Sequence, residues 1–267
     1  MQIDRTSDFH VHSVYSDGNA SIDEMVRSAA DKGLTQVTIT DHMPLPFDTR
    51  YAIPRARIEE YRRDIRQAQA ACDGGLRINS GIEFEYIPRY REWIHDLWEM
   101  GWDHCLVSVH WLIDGDIVGM VNGTRKEFDS LFQRANADIK SLCRLYYGVL
   151  QAAYRTGWFD IAGHLDVIKK HNANAAFFDE SDAWYRDLVM ATLQEIKASG
   201  MKMEINTAGI NHPVHAPYPS PWIVNEAAAM GIPIVLSSDS HNTAALGQYF
   251  DTIDAWYDII DASETAL

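Results

Sequence analysis

The sequence predicts an α/β fold in which seven β/α units close into a barrel. Short apolar and β-branched runs alternate seven times with longer segments of helical periodicity. Histidine and acidic residues stand at the ends of most of these runs, where a β/α barrel carries its functional groups. Such alternation implies parallel strands with right-handed crossovers, and seven units favour a closed barrel. An open doubly wound sheet has the same alternation and is the alternative that the pattern leaves open. No GxGxxG, GxxxxGKS or GxxxxGKT pattern follows the first run, which argues against a dinucleotide or P-loop site.

The strands and helices can be placed along the chain in order. The predicted strands are Phe9–His12, Gln36–His42, Leu76–Tyr86, His104–Trp111, Phe159–Asp166, Met201–Ala208 and Pro233–His241. The predicted helical segments are Ser21–Lys32, Pro54–Ala71, Arg125–Arg155, Asp182–Ser199, Pro221–Met230 and Thr243–Ile260. No linker, low-complexity tract or repeat divides them, so we expect a single domain over residues 1–267.

Local signals support the helix boundaries. Ser21 is followed three residues later by Glu24, which is the spacing of a capping box at a helix start. Gly33 and Gly200 stand where helices are expected to end.

The composition excludes several classes of partner. The 267 residues suffice for a sizeable core. They contain 23 Lys and Arg against 38 Asp and Glu, a formal net charge of −15. Nucleic acids and anionic membranes repel such a chain, so we expect neither as a partner. A pocket lined by cations can still hold a small anionic molecule.

The cysteines and the first residues indicate the cytoplasm. Cys72, Cys105 and Cys143 form no CxxC pattern, and an odd number cannot all pair within one chain, so we expect reduced thiols. The first residues contain no apolar segment typical of a signal peptide. No stretch approaches the roughly 20 apolar residues of a transmembrane helix.

The polar residues at the strand ends predict a metal centre. Residues i and i+2 of a strand face the same side, so His10 and His12 point at one locus. Any one of these residues is explained as well by a structural hydrogen bond. Several carboxylates meeting at one barrel mouth, however, repel unless cations neutralise them. The residues of this kind are His10, His12, Asp17, His42, Glu83, His110, His164, Asp166, Asp239 and His241.

The remaining histidines serve as a comparison. They fall in predicted helices, at a strand start or in loops, and we expect them to be structural or exposed. Two of them follow the sixth strand and lie close enough to the mouth to line a pocket. These five residues are His95, His104, His171, His212 and His215.

Eight segments in order carry a family resemblance. They are DFHVHSVYSDG, TITDHMP, GIEFEYIP, LVSVHW, TGWFDIAGHLDVIKK, MEINTAG, PYPS and SSDSH. The chain resembles the polymerase-and-histidinol-phosphatase (PHP) superfamily from about residue 8 to residue 250. HxH with SDSH is typical of the superfamily, and EYIP, GHLDVIKK, EINTAG and PYPS indicate its histidinol-phosphatase branch.

The resemblance implies a distorted barrel of seven β/α units that holds three divalent metal ions. The first metal would be bound by His10, His12, Glu83 and Asp239, the second by Glu83, His110 and His164, and the third by Asp17, His42 and His241. Glu83 would bridge the first two. Histidine and carboxylate ligands suit zinc, manganese or iron, and affinity order does not decide among them.

The implied reaction is hydrolysis of a phosphate monoester, most specifically of L-histidinol phosphate in histidine biosynthesis. Two close cations would activate a water for attack on phosphorus. The expected catalytic carboxylates are Glu83, Asp239 and Asp166. Asp166 would support the metal site or donate a proton, or else form a structural salt bridge with Lys169 or Lys170. Glu85, Asp17 or another carboxylate at the mouth would receive the amine of histidinol phosphate.

One departure from the family leaves the substrate open. Histidinol phosphatases often carry a basic residue after the NTAG-like segment, and this chain has Ile210–Asn211 there. Lys169, Lys170 or Arg89 would then bind the substrate phosphate. Alternatives are a phosphoesterase of the same fold acting on sugar phosphates or nucleotides, a non-catalytic metal-binding module, or a metal-dependent amidohydrolase. The oligomeric state is left open.

Overall fold

The protein is built around a barrel of parallel strands. The structure, a computed structural model, describes residues 2–47, 50–72, 74–257 and 260–261. Seven strands lie side by side in chain order. They are β2 (Ser7–Val11), β3 (Gln36–Ile39), β4 (Arg77–Glu85), β5 (His104–Ser108), β8 (Ile161–Ala162), β9 (Lys202–Asn206) and β10 (Ile234–Ser237). Each overlaps one predicted strand, and the largest difference is at β8, which is two residues long within the predicted Phe159–Asp166.

The first and last of these strands bring the barrel close to closure. Val11 is paired in parallel with Ser240 just beyond β10. The backbone N–H of His12 donates to the carbonyl oxygen of Ser240 at 2.9 Å. The predicted β/α barrel is therefore confirmed, and the open sheet is excluded.

The helices surround the barrel. They are α1 (Ile22–Asp31), α2 (Ile58–Ala71), α3 (Arg91–Trp98), α4 (Arg125–Arg134), α5 (Ile139–Tyr154), α6 (Ala183–Ser199) and α7 (Pro221–Ala229). Ser21 and Glu24 form the predicted capping box of α1. Gly33 and Gly200 adopt φ angles of +76° and +73°, which L-residues with a Cβ rarely adopt, and they follow the ends of α1 and α6.

Two predicted helices were wrong in extent or type. The segment Arg125–Arg155 divides into α4 and α5 because Asn136 and Ala137 adopt left-handed φ angles of 57° and 54°. In the described residues of the segment Thr243–Ile260 there are two short 3₁₀ turns, Thr243–Ala245 and Phe250–Ala255, and Ile260 begins a strand. Left-handed φ angles at Gly247 and Tyr249 interrupt the segment.

Three further elements were not predicted. Helix α3 follows the third barrel strand, and the antiparallel hairpin of β6 (Trp111–Asp114) and β7 (Ile117–Met120) follows the fourth. A short parallel pair joins β1 (Gln2–Ile3) to β11 (Ile260–Asp261) outside the barrel. The hairpin matters for function because it lies beside the carboxyl ends of the barrel strands.

The apolar core lies between the strands and the helices. Val37, Ile39 and Phe84 of the barrel are fully buried, as are Leu142 and Val189 of the surrounding helices. None of the helices in the described ranges combines the length and the apolar character needed to cross a membrane.

Candidate metal centre

The nine predicted metal ligands lie together at the carboxyl ends of the strands. Glu83 on β4 is at the centre, 1% exposed, and five imidazoles have nitrogen atoms within 3.6 Å of its two oxygens. The imidazoles belong to His10, His12, His42, His110 and His164. Residues at the ends of four strands that are distant in sequence are thereby brought to one side chain on a fifth.

The first predicted ligand group is completely or largely buried. His10 Nε2 lies 3.3 Å from Glu83 Oε2. His12 Nε2 lies 3.2 Å from Asp239 Oδ1 and 3.6 Å from Glu83 Oε2. Within the described part of the chain, the buried atoms His10 Nε2, His12 Nε2 and Glu83 Oε2 nevertheless have no partner in hydrogen-bonding geometry. Glu83 Oε2 lies 2.8 Å from His42 Nδ1, which is an ion-pair distance.

That arrangement fits a metal ion. A buried polar atom without a hydrogen bond costs free energy. His10 Nε2, His12 Nε2 and Glu83 Oε2 nevertheless all face one point, where a bound ion would satisfy them together. Nitrogen lone pairs and carboxylate oxygens that approach without hydrogen bonds are what a cation requires of its ligands. The donor set of imidazole and carboxylate suits zinc and other divalent transition metals.

The second and third predicted groups flank the first. His110 Nε2 and His164 Nε2 lie 3.4 and 3.2 Å from Glu83 Oε1, and 3.1 Å from each other. Asp17 Oδ1 lies 3.2 Å from His241 Nε2, and Asp17 Oδ2 lies 3.8 Å from His42 Nε2. The third group is the more exposed one, since the side chains of Asp17 and His241 are 23% and 36% accessible.

The central carboxylates are ionised. Burial alone would raise the pKa of Glu83, but His42, His10 and His110 hold that pKa well below its usual range. Burial likewise opposes the ionisation of Asp239, and His10 and His12 outweigh it and lower the pKa. In the metal-free protein the imidazoles balance these negative charges, and a bound cation would take over that role.

The backbone at Asp239 is strained. Its φ angle of 50° lies in the left-handed region, which a non-glycine residue occupies at a cost of order 1–3 kcal/mol. This conformation places the carboxylate of Asp239 beside His10 and His12. The cost is therefore incurred at the carboxylate that the sequence predicts as a metal ligand.

Two buried glutamates orient the candidate ligands from behind. Glu204 on β9 lies 3.1 Å from His10 Nδ1 and accepts hydrogen bonds from the backbone N–H of His164 and the side-chain amide of Asn206. Glu85 lies 2.8 Å from His110 Nδ1 and also accepts from the backbone N–H groups of His110 and Trp111. Carboxylates in this position fix the tautomer of a metal-binding imidazole.

The sequence interpretation missed Glu204 and gave Glu85 a different role. Glu204 precedes Asn206 by two residues, so both face the barrel interior. An acidic residue inside an apolar run was the signal that could have identified it. Glu85 was a candidate to bind the substrate amine. Its two oxygens, however, already form four contacts with the backbone N–H groups of His110 and Trp111 and with His110 Nδ1.

Asp166 and Lys169 do not line the cavities described below. Lys169 Nζ lies 2.9 Å from Asp166 Oδ2, and the two side chains are 1% and 0% exposed. The backbone N–H of Ser220 donates to Asp166, and Lys169 donates to the Ser220 hydroxyl. This geometry corresponds to the structural salt bridge that the sequence left open, with Ser220 of the PYPS segment as its third member.

The other two predicted phosphate-binding residues are in different environments. Arg89 is exposed, and its guanidinium carbon lies 5.2 Å from the centroid of the Tyr90 ring. It lines neither cavity. Lys170 is partly buried and donates to the carbonyl oxygen of Asn122 at 2.6 Å. Its side chain lines both cavities.

Two adjoining cavities open above the candidate ligands. The inner one, of about 200 Å³, contains Glu83, Asp239 and His212 in its wall. The outer one, of about 280 Å³, is bounded by the β6–β7 hairpin and by the start of α4. The residues common to both are Asp17, His42, His110, Asn122 and Lys170. Of the five comparison histidines, His212 lines the inner cavity.

Comparisons with known proteins agree with this geometry. Residues 8–208 match the PHP domain. A Deinococcus radiodurans protein named "Probable histidinol-phosphatase" is 31% identical over 91% of this chain and 89% of its own length. The histidinol-phosphatase of Bacillus subtilis is 26% identical over 91% of this chain and 96% of its own length.

Solved structures show the same fold. The crystal structure of hisK from Listeria monocytogenes has a TM-score of 0.80 and 20% identity, over 92% of this chain and 99% of that one. Histidinol phosphate phosphatase from Lactococcus lactis, solved with zinc, L-histidinol and phosphate, has a TM-score of 0.68 and 22% identity. That match covers 89% of this chain and 86% of the Lactococcus chain.

Proposed function

Because the chain belongs to the PHP domain family, as a histidinol-phosphatase relative, we propose that it hydrolyses L-histidinol phosphate to L-histidinol and phosphate in histidine biosynthesis. Water supplies the oxygen that joins phosphorus and the proton that goes to the released alcohol. The observation that carries the proposal is similarity to histidinol-phosphatases over 91% of the chain. The zinc, L-histidinol and phosphate bound by the Lactococcus lactis protein support the same reaction.

The proposed metal ligands are the three sets that the resemblance implies. The contacts around Glu83 and the unpartnered buried atoms support them. When bound, divalent cations would activate water and neutralise charge on the phosphate. The ligands are His10, His12, Glu83 and Asp239 for one ion, Glu83, His110 and His164 for a second, and Asp17, His42 and His241 for a third.

The protein's own groups would prepare the site for this chemistry. Glu204 and Glu85 accept from the Nδ1 atoms of His10 and His110, which leaves the Nε2 lone pairs free to face Glu83. Glu83 and Asp239 stay ionised and hold no proton near neutral pH.

Lys170 is the proposed phosphate-binding residue. It lines both cavities, and one bond to Asn122 leaves its ammonium two further N–H donors. It would supply the positive charge that Ile210–Asn211 does not. Lys169 forms a buried ion pair with Asp166. This pairing argues against a direct role of either residue in binding the phosphate or transferring a proton.

The domain and compartment follow as parts of the same proposal. The segment after residue 208 supplies Asp239 and His241, so the functional unit extends past the matched PHP region, and we treat residues 1–267 as one domain. Cys72, Cys105 and Cys143 are unpaired, which suits the reducing cytoplasm.

A substrate panel tests the proposal. Protein reconstituted with zinc, manganese or iron should release phosphate from histidinol phosphate orders of magnitude faster than from sugar phosphates or bis(p-nitrophenyl) phosphate. Flat, slow activity across all monoesters would contradict it. Lys170→Met should lower kcat/KM about 10- to 100-fold for every monoester because a charge-assisted contact is lost. Lys126→Met, an exposed lysine on α4, is the matched control.

A further inference from the structure

With the phosphate at the candidate metal ligands, as the proposed function requires, the outer cavity is the space left for the rest of the substrate. The inner cavity is walled by the candidate metal ligands, and the outer one adjoins it through Lys170 and His110. The outer wall comes from the β6–β7 hairpin and the first turn of α4. The groups on this wall would therefore meet the alcohol portion of the ester.

Among the residues that the structure describes, three carboxylates line the outer cavity, and two of them are already engaged. The oxygens of Glu85 accept from His110 and Trp111. Asp17 faces His241 and is a candidate metal ligand. The third carboxylate is Glu127, in the first turn of α4.

Glu127 has one oxygen to spare. Its Oε2 accepts from the backbone N–H and the hydroxyl of Thr124 at 2.7 and 2.8 Å, completing a capping box. No hydrogen bond to its Oε1 occurs among the residues that the structure describes. A Cβ at Gly123 would lie 2.7 Å from Oε2, so glycine there permits the close approach of this turn. The carboxylate is thus held in place by its cap and still has a free acceptor.

Glu127 is also charged. The N–H and O–H of Thr124, with Arg50 and Lys170 nearby, lower its pKa, so the carboxylate is ionised near neutral pH. Lys170 lines both cavities, whereas Glu127 lines only the outer one. The site consequently presents a cation where the phosphate would lie and an anion farther out.

We propose that Glu127 is a specificity residue that receives the protonated amine of the substrate, so that the site selects phosphate monoesters whose alcohol carries an ammonium group. This inference rests on the proposed function for the position of the phosphate at the inner cavity. The apolar side chains of Met43, Leu45 and Met120 in the same cavity would contact the carbon skeleton between the two charges.

Glu127→Gln separates the two roles of this residue. Glutamine is accepted at this position of a capping box, so the variant removes the charge and keeps the cap. The matched control is Glu24→Gln, because Glu24 caps α1 through Ser21 with the same contacts, at 2.8 Å each, and lines neither cavity. Both variants change the net charge by the same amount.

The experiment compares two substrates of equal size. Histidinol phosphate and its analogue without the amine, 3-(imidazol-4-yl)propyl phosphate, are assayed with the metal-loaded protein. The ratio of their kcat/KM values should fall about 10- to 100-fold in Glu127→Gln, and stay as in the wild type in Glu24→Gln. An unchanged ratio in Glu127→Gln, or an equal fall in both variants, would overturn the proposal.

Failure of the proposed function gives a different result. The wild-type protein would then hydrolyse phenyl phosphate but not histidinol phosphate. The same variants are in that case compared on 2-aminoethyl phosphate and ethyl phosphate. If Glu127→Gln lowers the ratio of kcat/KM for 2-aminoethyl phosphate to that for ethyl phosphate, the preference for an amine is upheld. If the ratio is unchanged, that preference is refuted.

Discussion

Glu204→Gln should weaken metal binding by reversing one hydrogen bond. In the wild type, Glu204 Oε1 accepts from the backbone N–H of His164 and from Asn206, and Oε2 faces His10 Nδ1 at 3.1 Å. A glutamine must keep its amide oxygen toward the two donors, which turns its NH₂ toward His10 Nδ1. That NH₂ donates, so the proton of the imidazole moves to Nε2 and occupies the lone pair that faces Glu83.

The size of the effect follows from that one contact. Two of the three hydrogen bonds persist, and the third, charge-assisted bond is lost at about 1.5–3 kcal/mol. At about 1.4 kcal/mol per tenfold, metal affinity should fall about 10- to 100-fold, the range found when partners of ligating histidines are removed. Chelator competition measures the affinity, and ¹⁵N NMR of the metal-free protein reports which nitrogen of His10 carries the proton.

Asp8→Asn is the control for changing a buried carboxylate to an amide. Asp8 on β2 is fully buried and accepts from Ser238, from Gly247 and, at 3.4 Å, from the backbone N–H of His10. Its side chain has no hydrogen bond to an imidazole among the described residues. This variant should lose stability without a comparable loss of metal affinity. Wild-type affinity and an unchanged His10 tautomer in Glu204→Gln would refute the reasoning.

Three further predictions concern stability and protons. Lys169→Met should lower the free energy of unfolding, measured by urea denaturation, by about 3–5 kcal/mol because Asp166 is left charged and buried. Loss of activity in the fully folded, metal-loaded variant would instead indicate a catalytic role for Lys169 and Asp166. Gly163→Ala should lower the free energy of unfolding by about 1–3 kcal/mol, because a Cβ at this position would lie 2.4 Å from Ser108 Oγ. A variant as stable as the wild type would contradict this close contact. Burial opposes protonation of His42, but Glu83 outweighs it and raises the pKa of His42 to about 10 in the metal-free protein. The His42–Glu83 pair therefore stabilises the fold fully below pH 6.5, and this stabilisation is lost as the pH rises towards 10. Metal binding at pH 8 should therefore release protons. Titration calorimetry in buffers of different ionisation enthalpy would detect this release as a heat of binding that depends on the buffer. A heat that does not depend on the buffer would contradict proton release.

The barrel and its candidate ligands were readable from local patterns. Strand periodicity places residues two apart on one face, so the His10 and His12 pair needs no tertiary information. The carboxyl ends of parallel strands meet at one edge, and this brings Glu83 and Asp239 together once seven units close. Both inferences depend on geometry that repeats along the chain.

Other features depended on contacts that no local pattern encodes. Glu127 has the sequence signature of a helix cap, and only the position of α4 beside the hairpin brings its free oxygen to a cavity. Lys169 and Lys170 are adjacent in sequence, yet one is buried against Asp166 and the other lines both cavities. Their separation is decided by the 3₁₀ turn that contains them and by packing against Ser220.

The sequence by itself determined the order of the seven strands, the residues at their ends and the chemistry that those residue types favour. The tertiary structure decided which carboxylates remain available. Glu85 and Glu204 are occupied in orienting imidazoles, Asp166 is paired with a lysine, and Glu127 has an open acceptor. The physical reason is that the availability of a carboxylate depends on every donor around it, and those donors come from segments far apart in the chain.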